Sequence, residues 1–246
     1  MKAMIFAAGL GTRLRPITDT MPKALVRVGG EPLISHVIRK LSAAGYDDIV
    51  VNVHHFPNMI RKYLEEKDFG VKVSISDESG LLLETGGGIA HAEPLLGGED
   101  FFVHNVDILS DADLPAMRAQ VRPEAISTLV VNSRKTSRYL LFNDQMRLVG
   151  WTNRDTGEVR SPYPGIDPDN CRALAFGGMH FISGRIFDAF REQGMRDRFP
   201  IMDFYINACA RYPIYGVEQK NLRLIDVGKL SSIAEAERFI AESRDL

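Results

Sequence analysis

Two glycines, an arginine and a lysine near the amino terminus make the first group of residues that could do chemistry. The run Ala7-Ala8-Gly9-Leu10-Gly11-Thr12-Arg13-Leu14-Arg15-Pro16 is followed shortly by Pro22-Lys23-Ala24-Leu25. Glycine carries no Cβ, so the backbone through Ala7, Ala8, Gly9, Gly11 and Thr12 can approach phosphate oxygens closely and form an anion-binding concavity. The planar guanidinium of Arg13 suits a phosphate fork, and Lys23 supplies a compact charge. The run lacks the Gly-Lys-Ser/Thr ending of a Walker A loop. It also has Arg13 and Pro16 where a Rossmann fingerprint would begin its helix. Taken alone, the two glycines favour an ordinary turn after a strand.

Carboxylates form the second group. Asp107 follows an apolar run, and Asp226 lies in Ile225-Asp226-Val227-Gly228 near the other end of the chain. Magnesium commonly takes one or two protein carboxylates and fills its octahedron with water and substrate phosphates. Asp107 and Asp226 could supply such a pair if the fold brings them together. The plainer reading is that a strand-end aspartate caps a turn or helix, and Asp77, Asp111 and Asp113 are read that way. His54-His55 is not read as a metal pair, because adjacent strand residues point to opposite faces. His36, His91, His104 and His180 show no partner pattern.

These groups need a scaffold that gathers them at one edge. Lys2–Ala7 reads as a buried strand running into the glycine-rich loop. Leu33, Ile34, Val37, Ile38 and Leu41 form a helical stripe within Pro32–Ala44, which ends at Gly45. Ile49–Val53 reads as a strand, Pro57–Lys67 as a helix, Val71–Ser76 as a strand, Gly88–Leu96 as a helix and Phe101–Val103 as a strand. Such alternation predicts a mostly parallel sheet covered on both faces, with ligands beyond the carboxyl ends of its strands. Ile126–Val131, Tyr139–Phe142, Arg147–Trp151 and Ala173–Ile182 predict antiparallel additions, and Arg154–Asn170 a loop over the site. One domain, residues 1–246, is expected.

Composition narrows the classes further. The 246 residues are 45% hydrophobic and 25% charged, enough to bury a sizeable core. A formal net charge of -2 gives no electrostatic case for nucleic acid or an anionic membrane. The apolar run Ala3–Ala8 is short for a signal segment and is followed at once by Arg13 and Arg15, so the chain is expected to be soluble and unprocessed. Its two cysteines, Cys171 and Cys209, lack metal-ligand spacing and accord with a reducing cytoplasm.

The complete string, with its downstream Pro22-Lys23, resembles the signature of the sugar-phosphate nucleotidylyltransferase family, AAGxGTRLxP followed by PKxL. Leu83-Glu84-Thr85-Gly86-Gly87-Gly88-Ile89 resembles the family segment lining the nucleobase and sugar, which implies roles for Glu84, Thr85 and Gly86. Asn105-Val106-Asp107 is similar to its metal-binding aspartate segment, and Ile225–Gly228 to the late segment carrying the second ligand. Departures occur at Val106, where many members have glycine, at Ala24, where proline is common, and at Lys229-Leu230, where Thr-Pro often follows.

The resemblance implies a three-layer, Rossmann-like α/β fold of the nucleotide-diphospho-sugar transferase type. It implies a nucleotide-binding half (1–131) and a sugar-phosphate half (132–246). Arg13 and Lys23 would hold phosphates, Asp107 and Asp226 a Mg2+ ion, Asn105 would bind substrate, and Gly177 and Gly178 would lie by the sugar. A strand bulge is the other reading of Gly177-Gly178. Arg154, Arg160 and Arg172 are alternative anchors for the sugar phosphate. The substrates implied are a nucleoside triphosphate and a sugar 1-phosphate, with UTP favoured and an N-acetylated amino sugar as acceptor. Rival readings are a guanylyltransferase for mannose or heptose 1-phosphate, a cytidylyltransferase for an alditol phosphate or phosphocholine, and a non-catalytic nucleotide-sugar-binding regulator.

Overall fold

The computed structural model describes residues 1–244. Its first half runs β1 (Lys2–Phe6), β2 (Arg27–Val28), β3 (Glu31–Pro32), α1 (Leu33–Ala43), β4 (Asp48–Val53), α2 (Pro57–Glu65), β5 (Lys72–Asp77), α3 (Glu84–His91), α4 (Glu93–Leu96) and β6 (Phe101–Asn105). There follow β7 (Ile108–Ser110), α5 (Leu114–Arg118), β8 (Ser127–Asn132), β9 (Arg138–Phe142), β10 (Leu148–Asn153) and β11 (Glu158–Arg160). The chain closes with β12 (Arg172–Ile182), α6 (Ile186–Glu192), α7 (Ile201–Ala208), β13 (Ile214–Glu218), β14 (Leu224–Asp226) and α8 (Ile233–Arg244).

Period-two alternation along β1 makes the three layers. Ala3 and Ile5 enter one hydrophobic cluster and Met4 the other, so both faces of the strand are buried. The first cluster takes Leu33, Val37 and Leu41 of α1, Ile60 of α2, Met117 of α5 and Phe239 of α8. The second takes Ile89 of α3, Phe187 and Phe190 of α6, and Phe204 and Tyr205 of α7. Between these layers β1 pairs in parallel with β4 and β6, and β5 extends the parallel set. The full order is β11-β10-β9-β12-β6-β1-β4-β5, with β8 joined to β12 and β13 joined to β8.

β12 is antiparallel to β6 and bridges the parallel centre to the outer strands. Its register against β8 slips between Phe176 and His180, and Gly178 adopts φ +73° there. Few residues other than glycine take that conformation readily. The structure thus has a bulge at Gly177-Gly178.

Two segments differ from expectation. The helix expected from Gly88 begins at Glu84 and stops at His91, with Pro94 in the first turn of the separate α4. Arg154–Asn170, expected as a loop over the site, contains β11, which pairs with β10 at the outer edge of the sheet. Its turn residues are those of a hairpin, so their composition alone resembled a free loop.

Candidate active site

β1 ends at Phe6, whose ladder partners are Asn52 of β4 and Asn105 of β6. The chain leaving β1 therefore passes between two asparagines at the carboxyl edge of the sheet. Ala7 N donates to Asn52 Oδ1 at 2.7 Å, anchoring the start of the glycine-rich loop. A Cβ on Gly9 would meet nothing within 4 Å, so the backbone there borders open space. At Gly11, φ is +63°, and a Cβ would lie 2.9 Å from Thr18 Cγ2 and 3.1 Å from Lys23 Cβ. Glycine at this position lets the loop fold down onto the turn that carries Lys23.

Lys23 Nζ forms an ion pair with Asp107 Oδ2. The two side chains are 11% and 17% exposed, so removing either leaves a poorly solvated charge. A cavity of about 440 Å³ opens beside them. Ala8, Gly9, Lys23, Asn52, Asn105 and Asp107, from the loop and the strand ends, line it together with Leu82, Glu84, Thr85 and Pro200. Another cavity of about 400 Å³ lies at the opposite edge, around Lys2, Tyr46 and Phe101, away from every residue singled out above.

The β7–β14 pair brings the second aspartate in. Asp226 stands opposite Ile108, and Val227 N donates to Asp107 O at 2.8 Å. Arg13 and Asp226 converge over Gly228, where a Cβ would lie 2.6 Å from Asp226 Oδ1 and 2.7 Å from Arg13 Nη2. Asp107, in the turn before β7, and Asp226, at the end of β14, offer hard oxygen donors, and Asp107 already carries a cationic partner. Among the described residues no group of three or more His, Cys, Asp or Glu side chains forms a metal cage. A two-carboxylate set completed by phosphate and water fits magnesium's habits.

The triple-glycine segment is used differently from the sequence expectation. Gly86 N and Gly87 N both donate to Phe199 O, at 2.8 and 3.1 Å, so these amides are not offered to a base edge. A Cβ on Gly86 would sit 2.2 Å from the Phe199 ring, and one on Gly87 2.1 Å from Asp197 O. Here the glycines admit the 197–199 segment. Thr85 Oγ1 accepts from Ile201 N at 2.9 Å, and Glu84, at φ +62°, pairs with Arg198 at 2.9 Å. Gly178 makes room for Ile108 Cγ1 and Asn105 Nδ2, at 2.8 and 3.1 Å from a hypothetical Cβ, while Gly177 packs against Val130 O. Neither Gly177 nor Gly178 lines the cavity.

The three arginines proposed for a sugar phosphate have carboxylate partners: Arg154 with Asp169, Arg160 with Asp203 and Arg172 with Glu218. Arg134, which sequence reasoning missed, donates to Phe176 O at 3.0 Å and forms no ion pair among the described residues. Burial lowers its pKa, and the nearby Asp226 opposes that shift. Its one legible signal is a basic Arg134-Lys135 pair directly after a predicted strand. Asn52 was likewise missed, having read simply as part of an apolar strand. His54 Nδ1 and His55 Nε2 hydrogen-bond backbone carbonyls, Glu78 O at 2.7 Å and Thr18 O at 3.3 Å. Asp113 caps α5 through Ala116 N at 2.9 Å.

Comparison with known proteins gives a family, two relatives and a shared fold. The family model for nucleotidyl transferases matches residues 2–141. The chain is 33% identical over 252 residues to N-acetylmuramate alpha-1-phosphate uridylyltransferase of Caulobacter vibrioides, covering 98% of this chain and 97% of that one. It is 48% identical over 112 residues to mannose-1-phosphate guanyltransferase of Neurospora crassa, covering 44% of this chain and only 30% of that protein. Among solved structures, apo UDP-glucose pyrophosphorylase matches with a TM-score of 0.78 at 18% identity, covering 99% of both chains, a likeness of fold.

Proposed function

Because this chain belongs to the nucleotidyl transferase family, we propose that it condenses a sugar 1-phosphate with a nucleoside triphosphate, yielding a nucleotide sugar and pyrophosphate. The observation that carries this reading is the convergence of the glycine-rich loop, Lys23 and Asp107 on one cavity, with Asp226 and Arg13 beside them. Phosphoryl-type transfer needs alignment and charge neutralisation more than covalent help from the protein. A phosphate oxygen of the sugar 1-phosphate bonds to the α-phosphorus, the bond from that phosphorus to the bridging β-oxygen breaks, and pyrophosphate leaves with the electron pair.

In this reading Lys23 exchanges its contact with Asp107 for a triphosphate oxygen, and the loop amides near Gly9 orient the phosphate chain. Arg13 neutralises charge from the loop side. Asp107 and Asp226 would hold a magnesium ion, which when bound supplies charge stabilisation at the α-phosphate. Residues 1–131 bind the nucleotide and 132–246 the sugar phosphate, within one domain. The free thiols of Cys171 and Cys209 accord with the reducing cytoplasm.

For the donor we propose UTP over GTP, with an N-acetylated amino-sugar 1-phosphate as acceptor. Support comes from the uridylyltransferase relative matched along nearly its whole length. Uracil and guanine differ in size and in hydrogen-bonding edge, and a site built for one leaves polar groups unpaired with the other. Equimolar UTP and GTP should therefore yield mostly UDP-sugar by mass spectrometry. A predominance of GDP-sugar reverses the assignment.

A further inference from the structure

Glu78 is the buried carboxylate that the proposed chemistry leaves without a role. It is 2% exposed and does not line the cavity. Its backbone is pinned at both polar groups: Glu78 N donates to Val53 O at 2.8 Å, and His54 Nδ1 lies 2.7 Å from Glu78 O. Its side chain reaches two segments that border the cavity, the end of β4 and the chain leading into α3. Oε1 accepts from Asn52 Nδ2 at 2.8 Å, and Oε2 accepts from Leu83 N at 3.4 Å, just before α3.

Asn52 is the link to the loop. Its carboxamide has one accepting and one donating end of nearly equal shape, so a neighbour must decide which way it faces. An ionised carboxylate only accepts, so Glu78 requires the NH2 end. That leaves Oδ1 for Ala7 N, at 2.7 Å. Gly88 makes the arrangement possible, because a Cβ there would lie 2.7 Å from Glu78 Oε1 and 3.1 Å from Asn52 Nδ2. Burial raises the Glu78 pKa, while the hydrogen bonds from Asn52 and Leu83 act to lower it.

We infer that Glu78 is a positioning residue that fixes the Asn52 amide beneath Ala7 and ties the glycine-rich loop to the Leu82–Thr85 wall of the same cavity. The inference rests on that cavity holding the triphosphate. Glu78 would set the spacing between the two walls without touching substrate.

The test is calorimetric binding of UTP and GTP to the whole chain. Glu78→Gln keeps shape but points an NH2 group at one of two donors, Asn52 Nδ2 or Leu83 N. Its affinity for the preferred triphosphate should fall about tenfold. In an Asn52→Ala background the same change should cost no more than about twofold, because Glu78 acts through Asn52. A purely structural carboxylate would show additive losses, which overturns the inference, as does unchanged affinity in the single variant. Should Glu78→Gln fail to fold, Gly88→Ala displaces the carboxylate while favouring helix. It should weaken binding similarly, and wild-type affinity there also overturns the inference. A wild-type chain that binds neither triphosphate instead refutes the reading of the cavity itself.

Discussion

Lys23 answers to two partners in the proposed chemistry, the Asp107 carboxylate it holds in the structure and the triphosphate it would meet in turnover. A charge-assisted contact of this kind is worth about 1.5–3 kcal/mol. Lys23→Ala should therefore lower kcat/KM for the triphosphate by roughly ten- to a hundredfold, measured by steady-state kinetics on folded protein. Wild-type kinetics would remove Lys23 from the site. Asp107→Asn and Asp226→Asn keep shape but lose the charge that would hold a cation. Each should nearly abolish turnover, and the double variant should be little worse than either single one, since both ligands serve one ion. An active Asp226→Asn beside a dead Asp107→Asn means that the second ligand lies elsewhere. At this scale the residues carried by a motif are legible in the sequence, because Arg13, Lys23 and Asp107 sit in strings whose chemistry can be read locally. Asn52, Glu78 and Arg134 are not, because their meaning lies in groups from distant segments: Glu78 bonded to Asn52, and the charge of Asp226 near Arg134.

Elements decide how far apart those residues end up. The short β7–β14 ladder places Asp226 beside Asp107, although its three-residue strands give almost no periodic signal to read. The start of α3 shows a second kind of miss. Three consecutive glycines suggest a loop by propensity, yet Gly86–Gly88 are helical, and they are glycine because Phe199, Asp197 and Glu78 approach where a Cβ would lie. This makes an opposed pair of effects measurable. Gly87→Ala gains about 1 kcal/mol of helix propensity. It also drives a Cβ to 2.1 Å from the Asp197 carbonyl, an overpacking worth about 1–3 kcal/mol or more against backbone. The clash should win, giving a net loss of stability in denaturant unfolding. A stabilised Gly87→Ala protein contradicts the packing of the 197–199 segment on α3.

At the scale of the whole molecule, the parallel centre of the sheet is legible because apolar strands and striped helices alternate through the first hundred or so residues. The second half is less so. α6 and α7 are 7 and 8 residues long, and α7 buries Ile201, Phe204, Tyr205, Ile206 and Ala208, so no single polar face marks it as a helix. β12 changes partners along its length, pairing with β9 through Arg172–Leu174 and with β6 through Met179–Ile182, which no local pattern announces. The outcome of this assembly is one edge where loop, lysine and aspartates meet. In the proposed function this edge joins a sugar 1-phosphate to a nucleoside triphosphate. Its most direct test is pyrophosphate release across a matrix of four nucleoside triphosphates and several sugar 1-phosphates, with magnesium or with excess chelator. Release is expected only when triphosphate, sugar 1-phosphate and magnesium are all present, strongest with UTP and an N-acetylated amino-sugar 1-phosphate. Pyrophosphate formed without any sugar phosphate, formed undiminished in chelator, or absent from every combination would contradict it.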